Sequence, residues 1–203
     1  MEEAYRLTTH PLLIVISGPA GVGKDAVLDS LRQWEHPLHF VVTATDRPPR
    51  PGEIHGVDYF FYTPAEFERM IEQDELLEHA LVYGQHKGIP KQQVREAIAS
   101  GKDVIMRLDV QGAATVRRIA PEALLIFLFA SKEELIQRMT KRDSDTAEQI
   151  ERRLAEYDQE LAYIHDFDYV VINRQNQFPQ AVAQVKAIIQ AEHCRVKPRR
   201  VRL

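Results

Sequence analysis

The 203-residue sequence lacks the features that mark several large protein classes. It has one cysteine, Cys194, which excludes an intramolecular disulfide and any multi-cysteine metal site. Its longest apolar runs, such as Leu12–Ile16 and Leu124–Ala130, fall far short of the roughly 20 residues that a membrane helix needs. There is no excess of positive charge: 26 Lys and Arg against 30 Asp and Glu leave −4, so nothing draws the chain generally toward nucleic acid. Repeats and low-complexity stretches are absent. Met1–His10 carries two glutamates and no apolar stretch, so no secretion signal is expected, and a reducing, cytoplasmic compartment is. What remains is 44% hydrophobic and 28% charged residues, the mixture of a globular chain with a real core. At about 150 residues per domain, one domain with an insertion is expected rather than two.

The apolar pattern alternates between two periods. Leu12–Ser17 is short, β-branched and followed by glycines, which reads as a strand buried on both faces. Ala26–Trp34 has helical spacing at Val27, Leu28 and Leu31. After residue 90 the rhythm returns, with helix at Val94–Ser100, strand at Val104–Val110, helix at Ala113–Ile119 and strand at Leu124–Ala130. Ser131–Lys141 opens like a capped helix, with Glu134 three residues after Ser131. Thr146–Ile164 and Phe178–Glu192 read as helices, with a strand at Tyr169–Ile172 between them. Strands alternating with helices imply a parallel sheet covered on both faces, a three-layer α/β/α fold. Residues 43–90 break the rhythm. Thr43–Glu53 is rich in Pro and Arg and cannot be helical. Asp58–Tyr62 reads as a strand, Pro64–Glu72 as a short helix and Leu76–Val82 as a strand, so this block is taken as an insertion.

Two constellations carry chemistry. Gly18-Pro19-Ala20-Gly21-Val22-Gly23-Lys24 follows a buried strand and precedes a helix, the context that a phosphate-binding loop requires. Glycines let the backbone N–H groups point inward, the helix N-terminus adds positive potential, and a lysine reaches the terminal phosphates. The residue after that lysine is Asp25, where the motif has Ser or Thr to bind Mg²⁺. Asp25 suits Mg²⁺ as a hard oxygen ligand, directly or through water, and equally suits the first turn of a helix. In the second constellation, Arg47 and Arg50 stand three residues apart on the proline-stiffened stretch Arg47–Glu53, a preorganised fork for one phosphate.

These motifs, with others in order along the chain, resemble the guanylate kinases from roughly Leu12 to Ala187. GPAGVGK is close to the family's GPSGxGK. RPPRPGE-x-x-G-x-DY, over Arg47–Tyr59, matches its GMP-binding pattern, Leu76–Glu78 its LLE and Leu108–Ala113 its IDxQGA. Arg138, Arg142 and Arg153 are spaced like its lid arginines, and Asn173 ends its VVN. The resemblance implies a phosphate-loop α/β/α kinase with an inserted nucleoside-monophosphate subdomain and a lid. Its core would span about 11–42, 91–137 and 165–194, its GMP-binding insertion 43–90 and its lid 138–160, followed by a basic tail at 195–203. It implies transfer of the γ-phosphate of ATP to GMP, and to dGMP, with Mg²⁺ as cofactor. Gly18 to Lys24, with Asp25, Ala26 and Asn173, would hold ATP. Thr43, Arg47, Arg50 and Tyr59 would hold the phosphate of GMP, and Glu53 would orient the arginines. Glu78 would accept from guanine N1–H and the 2-amino group, donors that adenine lacks. Asp109 would contact guanine or the water shell of Mg²⁺. Lys24, Arg138, Arg142 and Arg153 would stabilise the transferred group, and Arg47 would be catalytic with them through its hold on the GMP phosphate.

The sequence departs from the family pattern at several points. Lys87-Gly88-Ile89 stands where Tyr-Gly-Ser/Thr is usual; Lys87 can serve the phosphate as a point charge, but Ile89 cannot bond guanine O6. Arg107 replaces the first Asp of a D-x-D, and Asp25 is the candidate to offset it, with Asp109 the other metal candidate. A kinase for a related substrate such as ribose 1,5-bisphosphate, and a non-catalytic binding module, remain as alternatives. The last nine residues carry five basic side chains and read as a solvated, mobile terminus, with Cys194 a spectator beside it. The eight histidines show no helical ligand spacing beside carboxylates, so no zinc site is expected.

Overall fold

Leu12 to Ile16 place five branched or bulky apolar residues in a row, and all are buried, so the segment can only be a strand covered on both faces. It forms β1 (Leu13–Ser17), the centre of a five-stranded parallel sheet. The computed structural model describes residues 10–82, 84–140 and 147–203, without the side chains of Val82 and of residues 147–153. The other strands are β2 (Leu38–Phe40), β7 (Asp103–Arg107), β8 (Leu124–Phe129) and β9 (Tyr169–Ile172), in the order β2-β7-β1-β8-β9. The helices are α1 (Lys24–Arg32), α3 (Lys91–Ala99), α4 (Val110–Ile119), α5 (Lys132–Thr140), α6 (Ala147–Ala162) and α7 (Phe178–His193). One apolar layer joins Ile14 and Ile16 to Val27, Leu31, Val185 and Ile189. The other joins Leu13 and Val15 to Val94, Ala113 and Val116. This is the three-layer α/β/α arrangement, with loops gathered at the carboxyl ends of the strands, where open sheets bind ligands.

Residues 44–90 build a second, four-stranded sheet in the order β4-β3-β6-β5. It comprises β3 (Ala44–Thr45), β4 (Phe60–Phe61), β5 (Leu76–Val82) and β6 (Gln85–Pro90). Helix α2 (Pro64–Glu72) starts in a capping box between Thr63 and Glu66 and packs Phe67 and Met70 on this sheet. Leu77 and Ile89 run from it into the second core layer, so the small sheet is anchored to the large one.

The basic terminus is not a solvated tail. Arg199 is buried, with Nε 2.8 Å from Glu192 Oε2 and Nη2 3.5 Å from Asp168 Oδ1. Val201 and Leu203 pack on the core. A buried carboxylate needs a partner, and Glu192 on α7 recruits Arg199, which draws the tail down. Cys194 caps α7 and is exposed.

Candidate active site

The loop between β1 and α1 curls because its glycines permit it. Gly18 has φ +133°, and a Cβ there would lie 2.2 Å from the carbonyl oxygen of Leu128 on neighbouring β8. Gly23, the N-cap of α1, has φ +99°, and a Cβ there would meet Asn173 Nδ2 at 2.8 Å. Neither position admits another residue without displacing backbone or its clamp. Asn173 donates from Nδ2 to the Val22 carbonyl at 2.8 Å. Arg138 on α5 donates from Nη1 to the same carbonyl at 3.1 Å and from Nη2 to the Asn173 carbonyl. The two residues therefore hold the loop by its Val22 carbonyl.

Lys24 donates to the carbonyls of Gly18 and Pro19, the latter at 3.2 Å. Burial pushes its ammonium below the usual lysine range, opposed by Glu160, Asp25 and Asp109 and reinforced by Arg107. Glu160 is a site residue that the sequence reading missed. The Ala20 N–H donates to its carboxylate, and its Oε2 is buried with no hydrogen-bond partner among the described residues. Burial raises its pKa, against the pull of Lys24. The available signal was a carboxylate three residues after Tyr157 on the buried side of a long helix.

Asp25 and Arg107 face each other: Arg107 Nη1 donates to Asp25 Oδ1. The two departures from the motif thus pair with one another. Asp109 is the N-cap of α4 and accepts from the Gly112 N–H at 2.7 Å.

Lys24, Thr43, Tyr59, Glu78, Lys87 and Asp109 line one cleft of about 250 Å³, together with Arg107 and Ile89. A second hollow of about 230 Å³ shares Thr43, Tyr59 and Arg107 with it and adds Asp25. Glu78 lies on β5 directly opposite Ile89 on β6. Burial, and then the charge of Asp109, raise the Glu78 carboxyl to about 7. Such a group takes up charge most readily when a ligand supplies donors.

Arg47 is buried and forms a two-pronged pair with Glu53, Nη1 to Oε2 at 2.7 Å and Nη2 to Oε1 at 2.6 Å. Glu53 Oε2 also accepts from the Arg50 N–H at 2.7 Å. The Arg47 guanidinium lies 4.9 Å from the Tyr59 ring centre. These contacts hold the Glu53 carboxyl at about 2, the Arg47 hydrogen bond contributing most and the Arg50 N–H next. Arg50 itself is exposed. Arg142 lies outside the described residues, and of Arg153 only the backbone, within α6, is described.

A phosphate loop at the tip of the central parallel strand, opening into a cleft with its own half-buried carboxylate, is the arrangement of a kinase of small phosphorylated substrates. The guanylate kinase family model matches residues 10–192, and the chain belongs to that family. It is 50% identical over 196 residues to guanylate kinase 2, chloroplastic/mitochondrial, of Oryza sativa subsp. japonica, covering 96% of this chain and 69% of the rice protein. It is 43% identical to the guanylate kinase of Desulfitobacterium hafniense, covering 93% of this chain and 94% of that one. The crystal structure of guanylate kinase from Anaplasma phagocytophilum superimposes with a TM-score of 0.70 at 26% identity, covering 93% and 89% of the two chains.

Proposed function

We propose that the protein transfers the γ-phosphate of ATP to GMP, and to dGMP, giving ADP and the guanosine diphosphate, a step of purine nucleotide metabolism. The observation that carries this reading is the shared cleft of Lys24 and Glu78, a phosphate-seeking ammonium and a half-buried carboxylate at opposite needs. Guanine offers N1–H and a 2-amino group to one carboxylate. Adenine offers neither and leaves the half-buried Glu78 without donors, a loss of about 1–3 kcal/mol. Ile89 gives the pocket an apolar wall rather than a bond to O6, so the donor edge of guanine carries base selection, aided by Thr43.

In this reading Gly18–Ala26 cradle the phosphates of ATP, with Asn173 and Arg138 fixing the loop's curl. Arg47, Arg50, Tyr59, Thr43 and Lys87 hold the phosphate of GMP, and Glu53 keeps the arginine fork aimed. An oxygen of that phosphate attacks the γ-phosphorus in line; being anionic already, it needs no general base. Lys24, with Arg138, Arg142 and Arg153, stabilises charge on the transferred group. The carboxylates of Asp25 and Asp109, both acting electrostatically on Lys24, are a hard oxygen donor set that fits Mg²⁺ through water. Arg107 occupies one oxygen of Asp25, which favours water-mediated over direct coordination. Asp25 and Asp109 would hold a Mg²⁺ whose charge would offset that of the outer phosphates of ATP. Closing of the 43–90 insertion and the 138–160 lid keeps water from the phosphoryl group.

No helix of the described residues is long and apolar enough to cross a membrane. The single cysteine fits a reducing compartment, and we place the enzyme in the cytoplasm on that ground. The test is ADP release with ATP and each of GMP, dGMP, AMP, UMP and ribose 1,5-bisphosphate. Activity confined to GMP and dGMP is expected. Activity on AMP, UMP or the bisphosphate instead, or on none, overturns the reading.

A further inference from the structure

At the pole opposite the phosphate loop, three residues that are distant in sequence meet. His36 lies in the turn before β2, Asp103 opens β7, and His193 ends α7. His36 Nε2 is 2.9 Å and His193 Nε2 2.7 Å from the same oxygen, Asp103 Oδ2. The other oxygen, Oδ1, accepts from the Leu12 N–H at 2.8 Å. Asp103 is 2% exposed, while the two imidazoles are 21% and 17% exposed. Trp34 stacks on the His36 ring at 4.4 Å and 11°, which fixes the ring plane.

We propose that His36, Asp103 and His193 form a binding site for a divalent transition-metal ion of the zinc type. Two imidazole nitrogens and one carboxylate oxygen are the donor set that borderline metals prefer. The three donor atoms lie within 4.8 Å of one another. Metal–ligand bonds of about 2.0–2.1 Å in a tetrahedron set neighbouring donors roughly 3.3 Å apart. Each imidazole therefore has to withdraw by about half an ångström, within the reach of two side chains at the surface. The carboxylate has its outer partner in place, since the Leu12 N–H orients it, as second partners orient metal ligands elsewhere. The three residues share a cleft of about 550 Å³ with His10 and Cys194. His10 Nε2 is buried with no hydrogen-bond partner among the described residues. The fourth position is thus left to a water, His10 or Cys194. The bound ion would tie the end of α7 and the turn before β2 to the sheet, a structural clamp remote from the phosphate loop.

The experiment uses the full chain without a histidine tag, stripped with a chelator and without nucleotide. Co²⁺ is titrated while visible d–d absorption is followed, Zn²⁺ is titrated by calorimetry, and Tm is read with and without Zn²⁺. One equivalent of Zn²⁺ is expected, with a tetrahedral-type Co²⁺ spectrum. Tm should rise by about 5–10 °C at a hundredfold excess over Kd. His36→Gln and His193→Gln each keep an N–H to donate to Asp103 but lose the ligating nitrogen. Each should weaken Zn²⁺ by about 100-fold or more, beyond the roughly 10–100-fold that loss of an outer partner costs, while leaving the metal-free Tm near that of the parent. Asp109→Asn, at the other pole, should leave the equivalent in place. An unchanged Tm with no visible Co²⁺ band would show a hydrogen-bonded clamp only. An equivalent that survives both histidine changes would put the ion elsewhere. Either result overturns the proposal.

Discussion

Replacing Glu78 by glutamine separates what this carboxylate costs the fold from what it gives the substrate. Its pKa is raised from 4.5 to about 7, so between those values the folded protein keeps a proton that the unfolded chain has released. The folded state then binds more protons, and stability falls as pH rises through this window. At about 1.4 kcal/mol per tenfold change in proton affinity, the penalty at pH 8 is about 3 kcal/mol, and it falls below about 1 kcal/mol at pH 5. Glu78→Gln removes the charge and keeps the shape. Without nucleotide, the variant should be about 2–3 kcal/mol more stable than the parent at pH 8 and nearly equal at pH 5, measured by urea unfolding. GMP binding should move the other way. Loss of a charged acceptor for two donors weakens GMP by about 10–100-fold, at roughly 1.5–3 kcal/mol per charged hydrogen bond. In the parent, kcat/KM for GMP should fall about tenfold from pH 8 to pH 6 as the carboxylate protonates. The variant's profile supplies the baseline, since it keeps every titration but that of Glu78, the nucleotide phosphate included. A variant no more stable at pH 8, or a stability difference identical at pH 5 and pH 8, refutes the reasoning.

Other substitutions probe other parts. Lys24→Ala should lower kcat by about two to three orders of magnitude with little change in KM for GMP, read in the coupled ADP assay. Glu53→Gln releases one side of the Arg47 pair and should raise KM for GMP about tenfold. Because the Glu53 carboxyl sits at about 2, its contribution is present above 4.5 and lost only as pH falls through about 2, so this group adds no pH dependence at neutral pH. Asp25→Ala should raise the Mg²⁺ concentration for half-maximal activity, and Arg107→Ala should lower it by freeing Asp25; Mg²⁺ titrations that coincide for both variants and the parent would exclude Asp25 from the metal's surroundings. Arg199→Ala leaves Glu192 short of a buried partner and should cost about 3 kcal/mol, lowering Tm by roughly 6–12 °C.

Elements with a strong period of their own were legible in the sequence. Leu76–Val82, Pro64–Glu72 and Tyr169–Ile172 occur as read, and Leu12–Ser17 and Leu124–Ala130 differ by one residue. β2, β3 and β6 were not legible. β3 is two residues long and owes its state to pairing with β4 and β6, and β6 contains Lys87, Gly88 and Pro90, poor strand formers held by β5. Such strands depend on neighbours rather than on propensity. The phosphate loop was legible because its spacing is local. Glu160, the Asp25–Arg107 pair and the His36–Asp103–His193 meeting were not, since each joins segments that only the fold brings together. The tail was misread because charge alone suggested solvation, while one buried glutamate decided its course.

The clamp of Asn173 and Arg138 on the Val22 carbonyl bears on the order of synthesis. A chain emerging from the ribosome presents Gly18–Lys24 early, yet the side chains that hold its curve arrive only with residues 138 and 173, and β8, against which Gly18 lies, comes between residues 124 and 129. A nascent chain stalled before residue 173 therefore carries the whole Gly18–Lys24 stretch without the full clamp on its Val22 carbonyl, and under the proposed function should gain ATP affinity only once Asn173 has been made.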